Sequence, residues 1–244
     1  AASQPAAMPT AAPERHKQDA RQPDARTHNG LHIVAWRHPK PLGAQGRCIG
    51  RTDLPLDRRK AKRLAHGIRR AARLHGWPRV VYSSPLQRCA LVGRQLKRWG
   101  WRHHVDAALL EMDFGSWDGQ LWQHIALSQI DQWCADFLGD QPGDGESLRE
   151  LFERVAAWLS AQALGESPAG QCVPPRLVVA HAGWMQACAW LATGQPWPTL
   201  ASQWSRPPGY GQVQAWRWRA GEQGALMPGL EQPCSPAATR PQGR

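Results

Sequence analysis

The 244-residue chain reads as an α/β fold of three layers, a mostly parallel sheet flanked by helices. Two observations predict this. Short apolar runs alternate with amphipathic stretches of helical period, in the order β-α-β-α-β-α-α-β-α-β. Three of the apolar runs also end abruptly in Arg, His or Ser, as parallel strands do when their carboxyl ends open on a crevice.

The first strand is Leu31-His32-Ile33-Val34-Ala35-Trp36, and it runs into Arg37-His38. A Pro- and Gly-rich loop follows, from Pro39 to Pro55. Asp57–Gly76 has Ala61, Leu64, Ala65, Ile68 and Ala72 on one helical face and Arg/Lys on the other, with Gly76 as the stop. Arg79–Tyr82 is a second strand, ending at Ser83-Ser84. Ser84-Pro85 is expected to open a helix reaching about Gly100, because Ser caps and Pro suits the first helical position. A third strand is expected near His104–Leu109. Helices are expected at Leu121–Phe137 and from Ser147, where Ser147-Leu148-Arg149-Glu150 is a capping box. Arg176–Ala180 is the fourth strand, ending at His181, and Trp184–Thr193 the next helix. Gln212–Trp218 alternates polar and apolar residues, as an outer strand does. The folded domain is expected at 31–220. The Ala/Pro/Gln-rich residues 1–30 and the Gly/Pro/Gln/Ser-bearing residues 221–244 are expected to be disordered tails.

Composition narrows the function. At 42% hydrophobic residues the chain can bury a core, which excludes wholesale disorder. No apolar run approaches the roughly 18 residues of a membrane span, and the N-terminus lacks a basic-then-apolar signal pattern, so a cytoplasmic protein without a membrane partner is expected. Six cysteines, at 48, 89, 134, 172, 188 and 234, are scattered without a CxxC, and are expected to be reduced core thiols rather than zinc ligands or disulfides. His103-His104 are adjacent and would face opposite sides of a strand, which argues against a shared metal ion.

The net charge of +11 is uneven. Residues 31–110 carry 18 basic and 3 acidic groups; residues 111–170 carry 2 and 11. Solvated helix faces are the simpler account. The sharper one is a basic region that draws in an anion, either nucleic acid or a phosphorylated small molecule. The basic residues lie on an ordinary amphipathic helix with no nucleic-acid-binding motif, so no nucleic-acid partner is expected. Of the 14 tryptophans, Trp133, Trp158 and Trp190 sit at core spacing. Trp117 and Trp184 flank polar motifs and either pack the core or line a pocket for a flat substrate.

Arg37, His38, Arg88 and His181 all fall at or just beyond strand ends, so the fold can gather them in one crevice. Two guanidinium forks match phosphate oxygens. A neutral imidazole can attack phosphorus and hold the phosphoryl group, and a nearby carboxyl can protonate the leaving oxygen.

Four motifs in order resemble those of the histidine phosphatase superfamily, the phosphoglycerate mutase-like group. They are Arg37-His38 with Gly50-Arg51-Thr52-Asp53-Leu54-Pro55-Leu56, Tyr82-Ser83-Ser84-Pro85-Leu86-Gln87-Arg88-Cys89, Glu111-Met112-Asp113-Phe114-Gly115-Ser116-Trp117-Asp118-Gly119, and Val178-Val179-Ala180-His181-Ala182-Gly183. The resemblance covers about 31–195, and the Cys48–Asp53 spacing is most similar to the α-ribazole phosphatase branch, which acts in cobalamin assembly. It implies a phosphoglycerate mutase-like fold and a metal-independent, cofactor-free phosphomonoesterase acting on a small phosphorylated metabolite, with α-ribazole 5′-phosphate as first candidate. It implies His38 as phosphoryl acceptor, Arg37 and Arg88 as phosphate clamps, His181 as a hydrogen-bond partner of the transferring group, and Glu111 as proton donor with Asp113 as fallback. A phosphoglycerate mutase and a degenerate, non-catalytic phosphoester-binding protein are the alternatives. The sequence departs from the family pattern at Pro39, where Gly is usual, at Ala182, and near Gly43-Ala44, where an Asn usually contacts phosphate. Arg47 or Arg51 would have to supply that contact.

Overall fold

The structure, a computed structural model, describes residues 30–163 and 174–219. The expected tails at 1–30 and 221–244 lie outside the described residues except for Gly30, as do Cys172 and Cys234. Ten elements follow in order: β1 (Leu31–Arg37), α1 (Arg58–His75), β2 (Val80–Ser83), α2 (Gln87–Arg98), β3 (Arg102–Val105), α3 (Leu127–Ala135), α4 (Leu148–Ala163), β4 (Arg176–Ala180), α5 (Ala182–Thr193) and β5 (Val213–Trp218). The strands form one sheet in the order β3-β2-β4-β1-β5. All neighbours are parallel except the edge pair β1–β5.

Strand alternation builds the three layers. Val34 and Trp36 of β1 and Leu177 and Val179 of β4 face one side, where α1 and α2 cover them through Ala65, Ile68, Val92 and Leu96. Ile33, Ala35, Val178 and Ala180 face the other side, against Leu151, Phe152 and Val155 of α4 and Trp184, Met185 and Cys188 of α5. β4 lies between β1 and β2 and is buried on both faces, which accounts for its unbroken apolar run.

Caps set the ends of α1. The Asp57 carboxylate accepts from Arg59 N–H, and Gly76 takes the left-handed conformation (φ 65°) that closes the helix. The expected capping box at Ser147 is present: Glu150 Oε2 accepts from the Ser147 amide, and Ser147 Oγ accepts from the Glu150 amide.

Three boundaries differ from expectation. α2 begins at Gln87, not at Ser84-Pro85, because Ser84 Oγ accepts from the Leu86 amide in a local turn and Leu86 is extended. β3 stops at Val105 because Asp106 caps a 3₁₀ turn through the Ala108 amide. The stretch 121–137 is a 3₁₀ turn at Trp122–His124 followed by the short α3, not one helix; Ile125 leaves the helical path to pack against Cys48 and Trp117.

Gly93, inside α2, lets that helix lie against β3. A Cβ there would sit 2.1 Å from His103 Nε2, a nitrogen hydrogen-bonded to Ser83 Oγ at 2.7 Å. An ordinary helical Gly→Ala change stabilises by about 1 kcal/mol. Gly93→Ala is expected instead to destabilise by about 1–3 kcal/mol through overpacking. Urea denaturation checks this, and a stabilised variant would show that the α2–β3 contact is looser than described.

Candidate active site

The parallel ladder delivers polar groups from three strands to one end of the sheet. β1 ends at Arg37, and the His38 amide continues the β1–β4 ladder by donating to the Ala180 carbonyl. β4 ends at His181, which caps α5. Arg88 occupies the first turn of α2 beyond β2. The His38 and His181 rings lie 5.0 Å apart, centroid to centroid. His38, Arg88, Glu111 and His181 are all buried.

His38 Nδ1 pairs with the Pro39 carbonyl at 2.8 Å. A carbonyl only accepts, so Nδ1 carries the proton and Nε2 keeps its lone pair. This bond needs the carbonyl of residue 39 and not its amide, so proline costs nothing here. His181 Nδ1 accepts from Arg88 Nε at 3.2 Å, and its Nε2 lies 3.4 Å from Cys89 Sγ. His181 can accept the Arg88 bond only as a neutral ring, and for His38 it is burial beside two guanidinium groups that favours the neutral form. Burial, then Arg88 and Arg37, push His38 down to about 3, against the smaller upward effect of its Pro39 bond. Burial, then Arg88, His38 and Arg37, push His181 well below its ordinary value.

Arg88 is 1% exposed. Its Nη1 donates to the Thr52 carbonyl at 2.7 Å and its Nη2 to the Gly50 carbonyl. Those carbonyls are presented by a loop wrapped on Asp118, whose carboxylate accepts from the amides of Gly50, Arg51 and Thr52. Arg37 Nη1 donates to the Pro208 carbonyl at 2.7 Å, and its guanidinium stacks 4.0 Å over the Tyr210 ring. Tyr210 also lies 5.5 Å from the His38 ring.

Glu111 sits against the N-terminus of α5. Its carboxylate accepts from the amides of Gly183 and Trp184 at 3.2 and 3.3 Å, and from Met112 at 3.1 Å. A Cβ at residue 183 would lie 2.5 Å from Glu111 Oε1, so this approach requires glycine. The loop carrying Glu111 is fixed from behind. Arg154 donates to the carbonyls of Ala108, Leu110 and Glu111, and grips both oxygens of Glu146 at 2.8 Å.

These groups, His181 excepted, open on a cavity of about 540 Å³; His181 is fully buried, bonds Arg88 and does not line it, a correction to the direct contact with a transferring group that the resemblance implied. Arg37, His38, Arg88, Glu111 and Gly183 line one end; Phe114, Trp122, Trp133, Phe137 and Trp204 line another part of its wall. Of the two readings offered for Trp117 and Trp184, core packing holds: both are buried and neither lines this wall. The expectation for Arg51 is corrected: it is drawn away, paired with Asp113 at 2.9 Å and with Glu146 at 3.5 Å, which leaves Arg47 as the cavity-lining arginine of that loop. Asp113 is likewise occupied, by Arg51 and the Gly115 amide. The first amide of α2 is not left free for a ligand: Gln87 N–H donates to the Asp53 carboxylate at 2.7 Å. Cys48, Cys89 and Cys188 are buried free thiols, whereas Cys134 is exposed, contrary to a core assignment.

Sequence reasoning missed Tyr210, Asp118 and the Arg154–Glu146 pair. Asp118 stands inside a motif already singled out. Tyr210 carries no local signal, since only the antiparallel return of β5 brings it to Arg37. Among the described residues no group of three or more His, Cys, Asp or Glu could hold a metal ion, and no helix is long and apolar enough to cross a membrane.

Residues 33–222 match the family model of the histidine phosphatase superfamily, branch 1. The chain belongs to that superfamily. Among solved structures it is similar to a mycobacterial glucosyl-3-phosphoglycerate phosphatase, with 23% identity over 76% of this chain and 89% of the other and a TM-score of 0.62. It is also similar to the α-ribazole phosphatase of Shigella flexneri (20% identity, 76% and 90% coverage, TM-score 0.59). A protein from Thermus thermophilus is similar too (24%, 81% and 98%, TM-score 0.56). At these identities the likeness shows the shared fold. No curated protein matches. In this superfamily member the sheet is mixed, with β5 as the one antiparallel strand among the described residues.

The two buried neutral histidines make a pH prediction. An unfolded histidine titrates near 6.5, and both rings titrate lower when folded. Between those values the unfolded chain binds more protons, so the stability they contribute is present above pH 6.5 and is lost as pH falls toward about 3. Each contributes a slope of up to about 1.4 kcal/mol per pH unit. Urea midpoints measured from about pH 7.5 to 5 should fall accordingly; a flat profile would mean that the rings are charged in the native state.

Proposed function

We propose that the protein is a metal-independent phosphomonoesterase that works through a phosphohistidine on a small phosphorylated metabolite. The observation that carries this reading is the state of His38: a neutral ring whose Nδ1 is tied to the Pro39 carbonyl, flanked by Arg37 and Arg88, on a cavity that also holds Glu111. His38 Nε2 attacks phosphorus as the bond to the alcohol oxygen breaks, and the Glu111 carboxyl gives that oxygen its proton. Glu111, now a carboxylate, takes a proton from water as the water oxygen attacks the phosphohistidine. Inorganic phosphate leaves and His38 is restored. Arg37 and Arg88 stabilise the charge on the equatorial oxygens, and His181 holds Arg88 by accepting from its Nε; each Nη of Arg88 keeps a second N–H beyond its bond to a loop carbonyl.

For the substrate we propose α-ribazole 5′-phosphate, and with it a place in cobalamin biosynthesis. The wall of Phe114, Trp122, Trp133, Phe137 and Trp204 favours a flat aromatic alcohol over the polar, carboxylate-bearing glucosylglycerate that the mycobacterial relative's name specifies. A metal-free screen of α-ribazole phosphate, glucosyl-3-phosphoglycerate, 3-phosphoglycerate and sugar phosphates tests this. Preference for a sugar or glycerate ester would reject the aromatic reading, and mutase activity on 3-phosphoglycerate would replace it. Vanadate binding without turnover of any ester would identify a non-catalytic binder.

Two variants probe the roles. His38→Ala should lose about a thousandfold or more in kcat while remaining folded, and quenching in alkaline detergent during turnover should trap base-stable, acid-labile phosphate on the wild type alone. Label on His181 would reverse the assignment. Glu111→Gln should slow alkyl phosphates by about 10²–10⁴-fold and aryl phosphates far less, because a stable phenolate leaves without help. Equal losses on both esters would remove Glu111 from proton transfer.

A further inference from the structure

Beside Tyr210 lies a second cavity of about 510 Å³, nearly as large as the catalytic one and sharing only Tyr210 with it. Its floor is apolar: Trp36 from β1, Leu64 from α1, Trp77 and Val213. Trp36 and Trp77 meet edge to face at 6.4 Å and give the floor two fixed indole surfaces. Its polar lining is basic, and includes His75, stacked on Trp77 at 4.6 Å. Lys40, Lys60 and Arg63 stand around it, and no carboxylate among the described residues lines it. Gly67, midway along α1, opens the remaining side; a Cβ there would meet nothing within 4 Å. Glycine is the poorest helix former after proline, so its presence on this helix face keeps the cavity unobstructed at a cost to the helix.

We infer that this cavity is a second ligand site, for a small amphipathic anion: a flat or branched apolar body carrying one carboxylate, sulfonate or phosphate. The volume falls in the range of small-molecule pockets, the indoles supply the contact surface, and the lysine–arginine rim supplies the complementary charge. The site is not isolated from the chemistry. Tyr210 lines both cavities, and its ring carries the Arg37 guanidinium at 4.0 Å and faces His38 at 5.5 Å. A ligand against one face of that ring shifts the same side chain that positions Arg37, so occupancy is felt as a change in anion affinity at the catalytic end.

The test uses the full chain and 8-anilinonaphthalene-1-sulfonate, an apolar ring system with one anionic group, followed by fluorescence in saturating orthovanadate. Wild-type protein should bind one equivalent saturably. Gly67→Leu, which fills the cavity from an open helix position, should weaken binding at least tenfold without lowering the melting temperature; Lys60→Glu with Arg63→Glu should weaken it similarly. Bound probe should change the vanadate Kd at least threefold in wild type and not in Gly67→Leu. Displacement of the probe by vanadate, with indifference to Gly67→Leu, would place it in the catalytic cavity and overturn the proposal, as would unsaturable binding. An unchanged vanadate Kd would overturn the link through Tyr210. Failure of vanadate to bind at all would count against the phosphatase reading, while the Gly67→Leu comparison would still decide the second site.

Discussion

The site is built around one buried cation that has no ion-pair partner among the described residues. Arg88 is almost wholly removed from water, and no carboxylate among the described residues is ion-paired with it. A guanidinium in that position must be solvated by protein dipoles or it will not be buried. Three neutral acceptors do this: the carbonyls of Gly50 and Thr52 and the Nδ1 lone pair of His181. Each imposes a condition. The carbonyls are aimed only because Asp118 gathers the amides of residues 50–52 on their other side. His181 can accept only as a neutral ring, and Cys89 Sγ stands where its Nε2–H can be received. The uncompensated charge then acts on whatever enters the cavity, in a setting where water screens little.

The remaining site groups are held by the same device, a charged side chain folding a loop onto itself. Arg154 and Glu146 fix residues 108–113 from behind, so that Glu111 meets the α5 amides. Arg37 draws in residues 208–212 through its backbone, its Pro208 contact and the Tyr210 ring. Strands and helices place one residue each at the sheet edge; the loops supply the enclosure. This division explains why the parallel core can be ordinary while the chemistry is specific.

It also explains what was legible in the sequence. β1 and β4 could be read because burial on both faces demands continuous apolar residues, and α1 because its face is apolar every third or fourth position. His38, Arg88 and His181 could be read because they lie at or just beyond strand ends, whereas Glu111 could be read only through the resemblance of its motif; His38, Arg88 and Glu111 line one cavity and His181 bonds Arg88. What could not be read were long-range substitutions of partner. Ser84 reads locally as the cap of α2, yet Asp53, 34 residues upstream of Gln87, takes the helix amide. Arg51 reads as free for phosphate, yet Asp113 and Glu146 claim it. The aromatic wall escaped for a related reason: a tryptophan beside a motif and one on a turn are indistinguishable until the turn at 122–124 is known to break the helix.

The lopsided charge of the chain takes on a specific meaning in the folded molecule. The acidic segment contributes most of one side of the cavity, yet it does not cancel the field of Arg37 and Arg88. Its carboxylates are engaged by backbone amides or by other arginines: Asp113 by Gly115 and Arg51, Asp118 by residues 50–52, Glu146 by Arg154, Glu150 by Ser147. Glu111 alone among the acidic residues described lines the cavity. A charge map drawn from sequence would therefore show a basic half facing an acidic half. The field inside the cavity is instead set by Arg37, Arg47 and Arg88, with Glu111 the one carboxyl group among the described residues that lines it.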